Sequence, residues 1–175
     1  MCENRMLIRG EKVCLRLMEE SDFPLIVRWR NKEHVRKNFI YREPFTLEGQ
    51  YEWKRTMIDT GKVVQFMICE KNTLTPVGCV YLRDIDMDEK RAEYGIFIGE
   101  KEALGRGYGN ESASLTACYA RDELHLEKLI LRVFTRNTAA IKSYEHAGFT
   151  RSMDIPDVEC SDGQKDDMII MELRL

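Results

Sequence analysis

RAEYGIFIGEKEALGRGYGNE, residues Arg91 to Glu111, is the stretch on which the fold turns. A short apolar strand, Ala92 to Ile98, runs into a turn in which Gly105, Gly107 and Gly109 alternate with Leu104, Arg106, Tyr108 and Asn110, and a helix follows directly. Glycines at that spacing let the backbone enter conformations closed to residues with a Cβ, so successive N–H groups can face one point. The helix adds its unpaired first-turn donors and roughly half a positive charge from its dipole. A phosphate or pyrophosphate is the ligand such a turn predicts. A P-loop would place Lys and then Ser or Thr after the last glycine, where this chain has Asn110 and Glu111. A dinucleotide fingerprint would need glycine at position 110. By itself the triplet equally describes a tight strand-to-helix turn.

A second block stands downstream. KLILRVFTRNTAAIKSYEHAGF, Lys128 to Phe149, reads as a buried strand, an Asn-containing turn and a short helix stopped by Gly148. Together the two blocks resemble the GCN5-related N-acetyltransferase (GNAT) family, in particular its RimJ/RimL-type branch. There a strand ending in I-G leads to G-[KR]-G-Y-G-x-E, and a later block has the form L-x-V-x-x-x-N-x-x-A-I-x-x-Y-E-x-x-G-F. Leu131, Val133, Asn137, Ala140, Ile141, Tyr144, Glu145, Gly148 and Phe149 match the second. Leu15 to Asn31 looks like the family's first strand and helix, so the resemblance extends over nearly the whole chain.

The resemblance implies an α/β fold, a mixed and mostly antiparallel sheet with a splayed central strand pair, flanked by helices. It implies acetyl-CoA as co-substrate, held by Phe97, Ile98, Leu104, Gly105, Arg106, Gly107, Tyr108, Gly109, Asn110, Asn137, Ala140 and Tyr144. Two departures stand out: Leu104 replaces the Gln, Arg or aromatic residue of relatives, and Ala139 replaces a frequent Arg. Tyr144 is the expected acid at the cofactor sulfur, since a phenol of pKa about 10 is protonated at neutral pH. The alternative is that Ala140, Ile141 and Tyr144 form only a buried helical stripe. A backbone N–H near Phe97 or Ile98 is the candidate to polarise the carbonyl. Glu93 is the candidate base; it is equally readable as a strand carboxylate paired with Arg91 or Lys90, with a water chain taking the proton. Glu111 suits the dipole of its helix whether or not a ligand binds. His34, His125 and His146 have no sequence partner that marks them as catalytic.

The acceptor site is expected from the first two helices and their loop. Trp29, Arg30, Asn31 and Tyr41, with Arg42, Tyr51 and Trp53 nearby, gather aromatic and cationic groups suited to a base, sugar or phosphate. The W-R-N segment with A-E-x-G-I on the later strand is similar to acetyltransferases that act on nucleotide-linked amino sugars. Alternatively, Trp29 and Trp53 are core and the arginines solvated. The acceptor that the resemblance implies is a small-molecule amine, such as an amino-sugar nucleotide or polyamine, or a protein N-terminus. A CoA-binding sensor or scaffold of the same fold is the competing class, and retention of Tyr144 favours the enzyme.

The 175 residues suit one domain spanning 1–175. With 27 basic and 30 acidic residues the net charge is −3, which argues against a dedicated nucleic-acid surface. No apolar run approaches the roughly 20 residues of a membrane span, and no export signal is apparent, so a cytoplasmic monomer or homodimer is expected. Six cysteines without a C-x-x-C pair read as free thiols rather than a metal site. Alternation and turn signals place strands over Met6 to Leu17, Val63 to Cys69, Pro76 to Leu82, Ala92 to Ile98 and Lys128 onward, and a hairpin over Ser152 to Asp154 and Asp167 to Leu173. Helices are read from near Ser21, over Thr46 to Ile58, after the glycine turn and after Asn137. The total is about seven strands and about four helices.

Overall fold

The computed structural model describes residues 7–175. Among the described residues one sheet holds eight strands: β1 (Leu7–Arg9), β2 (Val13–Leu17), β3 (Val63–Glu70), β4 (Pro76–Asp86), β5 (Arg91–Ile98), β6 (Lys128–Phe134), β7 (Thr150–Glu159) and β8 (Lys165–Arg174). Their order across it is β1-β2-β3-β4-β5-β6-β8-β7. Neighbours are antiparallel except β5 and β6. The helices are α1 (Phe23–Asn31), α2 (Glu33–Arg36), α3 (Leu47–Trp53), α4 (Tyr108–Asp122) and α5 (Thr138–His146). The mixed, mostly antiparallel architecture agrees with the sequence.

Details differ for local reasons. The segment from Leu7 to Leu17 is two strands, because the chain reverses between Gly10 and Val13, where Gly10 N–H donates to Val13 O. The expected strand start at Met6 lies outside the described residues. The stretch from Thr46 to Ile58 is α-helical only to Trp53, with Thr46 Oγ1 capping Gly49 N–H, and then widens into a π-helical turn over Lys54–Ile58. β4 continues through Asp86, shortening the connection to β5. β7 runs through Pro156, which an edge strand tolerates because its outer N–H side needs no partner.

Alternation along the strands sorts the core onto two faces. On one, Val13, Leu15, Phe66, Val80, Leu82, Ala92, Tyr94 and Leu129 meet Ala113 and Ala120 of α4, whose small side chains allow close approach. On the other, Cys14, Met67, Cys69, Cys79 and Phe97 pack beneath Ile26 and Trp29 of α1. Cys14, Cys69, Cys79 and Cys160 are free and buried, and burial pushes the Cys69 thiol up to about 11, so these act as small apolar groups. Among the described residues no helix is long and apolar enough to cross a membrane.

Candidate active site

The parallel pairing of β5 with β6 lasts only from Arg91↔Lys128 to Glu93↔Ile130. Beyond Glu93, β5 stays paired with β4 while β6 follows β8, so the sheet opens between Tyr94–Ile98 and Leu131–Phe134. Backbone groups of β5 on that side are left without a strand partner, and such groups need one from elsewhere. A cavity of about 1050 Å³ runs through the opening.

The glycine turn stands at one end. Gly105 and Gly107 have φ of +74° and +82°, and Gly107 is the left-handed residue that starts α4. Gly109 has Ser143 Oγ of α5 at 3.7 Å from where its Cβ would stand, so a side chain there would fill the space between the start of α4 and the middle of α5. Asn110 Oδ1 is buried with no partner. Tyr108 Oη donates to Glu70 Oε1 at 3.0 Å, Arg106 lies 3.5 Å from the same oxygen, and Lys12 Nζ reaches Arg106 O at 3.4 Å. Of the expected cofactor residues, Phe97, Ile98, Leu104, Gly105, Gly107, Tyr108, Gly109, Asn110, Asn137, Ala140 and Tyr144 all line the cavity; Arg106 lies outside its lining. Asn137 caps α5 by accepting Ala140 N–H at 3.3 Å. A positively biased turn whose glycines leave space free of side chains, an open strand edge and an unpaired amide fit a pyrophosphate joined to an extended arm.

Glu111 has a different task. Its carboxylate accepts the backbone N–H groups of Glu11 (2.6 Å), Lys12 (2.9 Å) and Val13 (2.8 Å), clamping the β1–β2 reversal onto α4. A Cβ on Gly10 would lie 2.9 Å from Val13 O and 2.8 Å from the Glu111 carboxyl carbon, so a larger residue would push against both the reversal and its clamp.

Tyr144 sits mid-cavity, 9% exposed, its ring edge-on to Tyr94 (6.1 Å) and to Phe149 (5.9 Å). Burial, with a smaller contribution from Tyr81, pushes its phenol above the usual tyrosine range, which keeps it protonated and able to donate. Glu93 stands where the strands part, facing the cavity. It is paired with neither Arg91 nor Lys90: Oε1 accepts Arg132 Nε at 3.1 Å and Oε2 accepts Arg83 Nη2 at 3.2 Å.

The far end is walled by α1, the segment 37–45 and β8. Ser161 N–H donates to Ile40 O, Arg42 N–H to Ser161 Oγ, and the Arg42 guanidinium reaches Asp162 and Gln164, joining this segment to the β7–β8 turn. Arg30 and Tyr41 line the chamber; Trp29 and Asn31 do not. Trp29 is fully buried, fills the space left by Gly99 and donates its indole N–H to Glu100 Oε1 at 2.6 Å. Asn31 bridges Val27 O and both backbone groups of Phe45, fixing the loop from outside. Sequence reasoning missed Phe39, Phe45, Tyr81, Arg83 and Arg132, which complete the chamber. A signal existed: Tyr81 and Arg83 oppose Gly95 and Glu93 in the β4–β5 ladder, and a Cβ on Gly95 would overlap the Tyr81 ring. His34 also lines it, with Nε2 at 3.2 Å from Ile98 O and its pKa lowered by burial.

Comparison with known proteins accords with this geometry. An N-acetyltransferase of Bacillus licheniformis, p20, is 26% identical over 93% of this chain and 93% of its own. The crystal structure of spermidine N-acetyltransferase from Vibrio cholerae in complex with CoA and spermine superimposes with a TM-score of 0.85 at 23% identity, over 94% of this chain and 96% of that one. A dodecameric structure of the same Vibrio cholerae enzyme gives 0.79 at 22% identity, over 94% and 95%. Residues 12–150 match the acetyltransferase (GNAT) domain, and the chain therefore belongs to the GNAT family of N-acetyltransferases, whose acetyl donor is acetyl-CoA.

Proposed function

We propose that this chain, as one acetyltransferase domain over 1–175, moves an acetyl group from acetyl-CoA to the primary amine of a small molecule by direct attack in a ternary complex. The observation that carries the reading is the opening between β5 and β6, with the glycine turn at one end, a walled chamber at the other and the Tyr144 phenol between them. The bound thioester supplies the activated carbonyl. Gly105 to Asn110 and the start of α4 would hold the pyrophosphate, and the free edge of β5 near Phe97 and Ile98 would take the amide arm and polarise the carbonyl.

The amine nitrogen forms a bond to the carbonyl carbon, the C–S bond breaks, and Tyr144 gives its proton to the departing sulfur. Both oxygens of Glu93 already accept from arginines, which favours a water chain over Glu93 as the acceptor of the ammonium proton. The RimJ/RimL-type form of both motif blocks supports a place in that branch. A cytoplasmic location and a monomer or homodimer remain part of this reading, and the dodecamer of the Vibrio enzyme makes higher assemblies the alternative to measure by light scattering.

Two measurements test it. Acetyl-CoA and CoA should raise the thermal midpoint far more than NADH or ATP at equal concentration, since a ligand at about 100 times its Kd adds roughly 2.7 kcal/mol. Thiol release on mixing acetyl-CoA with a panel of amines should then identify acceptors. An equal shift with NADH would overturn the donor assignment, and CoA binding with no turnover on any amine or peptide would favour a sensor.

A further inference from the structure

Charge in the cavity is distributed against the charge of the chain. The whole sequence carries a net −3, yet the lining holds five lysine and arginine side chains, Arg30, Lys37, Arg83, Arg132 and Lys142, against one carboxylate, Glu93. That carboxylate is neutralised by Arg83 and Arg132 at 3.2 and 3.1 Å. No lining carboxylate is therefore left to receive a second ammonium group, which a polyamine would bring.

Arg30 is the unusual member. Its guanidinium carbon lies 3.6 Å from the centroid of Phe39 and 4.7 Å from that of Phe45, so aromatic rings hold it in place. Among the described residues it makes no hydrogen bond or ion pair with protein, and none of its nitrogens is sealed from the cavity. Burial disfavours a bare cation, and it lowers the Arg30 pKa. Stacking uses the faces of the guanidinium and leaves its planar fork of N–H donors, the edge that matches a carboxylate or phosphate in bidentate fashion. Tyr81, lying across Gly95, forms the floor beside it.

We infer that the amine acetylated here also carries an anionic group, a carboxylate or phosphate, which Arg30 binds while the amine faces the β5–β6 opening. This rests on the acetyltransferase reading for the amine's role and departs from the spermine bound by the Vibrio relative. Phe39 and Phe45 act as positioning residues that keep the fork aimed.

Calorimetry on the CoA-saturated protein tests it with four probes: β-alanine for a carboxylate, O-phosphoethanolamine for a phosphate, propylamine as a neutral reference and spermidine as a polycation. At least one anionic amine should bind roughly tenfold or more tighter than propylamine, the range expected of hydrogen bonds to a charged group, with spermidine the weakest. Arg30→Met keeps an apolar stem between the rings and should remove that preference. Should that variant not fold, Phe39→Leu, which loosens the stack, should reduce it. Spermidine binding as tightly as the anionic probes, or no anionic probe binding, or an unchanged preference in a folded Arg30 variant, would overturn the inference. Thiol release is read in parallel: the predicted binding order without turnover on any probe supports the anion site and counts against the transfer reading.

Discussion

Glu111→Ala should destabilise the protein by about 3 kcal/mol without disabling the donor site. The carboxylate holds three backbone N–H groups, those of Glu11, Lys12 and Val13, at 2.6 to 2.9 Å. A hydrogen bond to a charged group contributes about 1.5–3 kcal/mol when water cannot replace it. Only the Val13 donor is partly buried; the other two are exposed, where water takes over and each retains under about 1 kcal/mol. Loss of a negative charge from the first turn of α4 adds about 0.3–1 kcal/mol. For a chain of this size the sum corresponds to a fall in Tm of about 6–12 °C. Urea denaturation gives the free energy, and calorimetry with CoA gives the affinity of the folded variant. A loss below about 1 kcal/mol together with a tenfold weaker CoA would refute the clamp and move Glu111 into the donor site.

Tyr144→Phe should keep CoA affinity and stability close to wild type while turnover at saturating acetyl-CoA falls by roughly 10²- to 10⁴-fold, the loss typical of a general acid; a rate within about threefold would remove the hydroxyl from the chemistry or point to product release as limiting, which a pre-steady-state burst distinguishes. Gly107→Val should weaken CoA binding strongly in a folded protein, because its φ is +82° and a Cβ there lies 3.0 Å from Lys12 Nζ; unchanged affinity by calorimetry would place the anion site elsewhere. Glu100 is held at about 2 by hydrogen bonds from Lys32 and Trp29, below its ordinary 4.5. A depressed carboxylate contributes stability that is complete above the unfolded value and lost as pH falls through the folded one, so the advantage of wild type over Glu100→Gln should shrink between pH 4.5 and about 2 in acid titrations; a constant difference would deny the linkage.

The glycine-turn half of the candidate site was readable because its constraints are local. Positive φ at Gly105 and Gly107, the Asn137 cap and the strand–turn–helix order each occupy a few consecutive residues. The acceptor half was less so. Trp29 and Arg30 are adjacent on α1, yet helical geometry turns one into the core against Gly99 and the other toward the cavity, a choice visible only once the partners Phe39, Phe45 and Tyr81 are placed. The β1–β2 reversal escaped for the same reason: the carboxylate that pins it lies about 100 residues away, and locally only Gly10 and the adjacent charges Glu11 and Lys12 interrupt the strand pattern.

The tie between the segment 37–45 and the β7–β8 turn joins residues some 120 positions apart, as in Arg42 with Asp162. The hydrogen bonds of this tie are exposed, so it should open locally more readily than the buried strands of the sheet. Amide exchange at Ser161 and Arg42 should accordingly outpace that of β5. Both segments are surface turns whose lengths can change without disturbing any strand register. The chamber can thus be enlarged, narrowed or re-charged over evolutionary time while the glycine turn and the β5–β6 opening stay as they are.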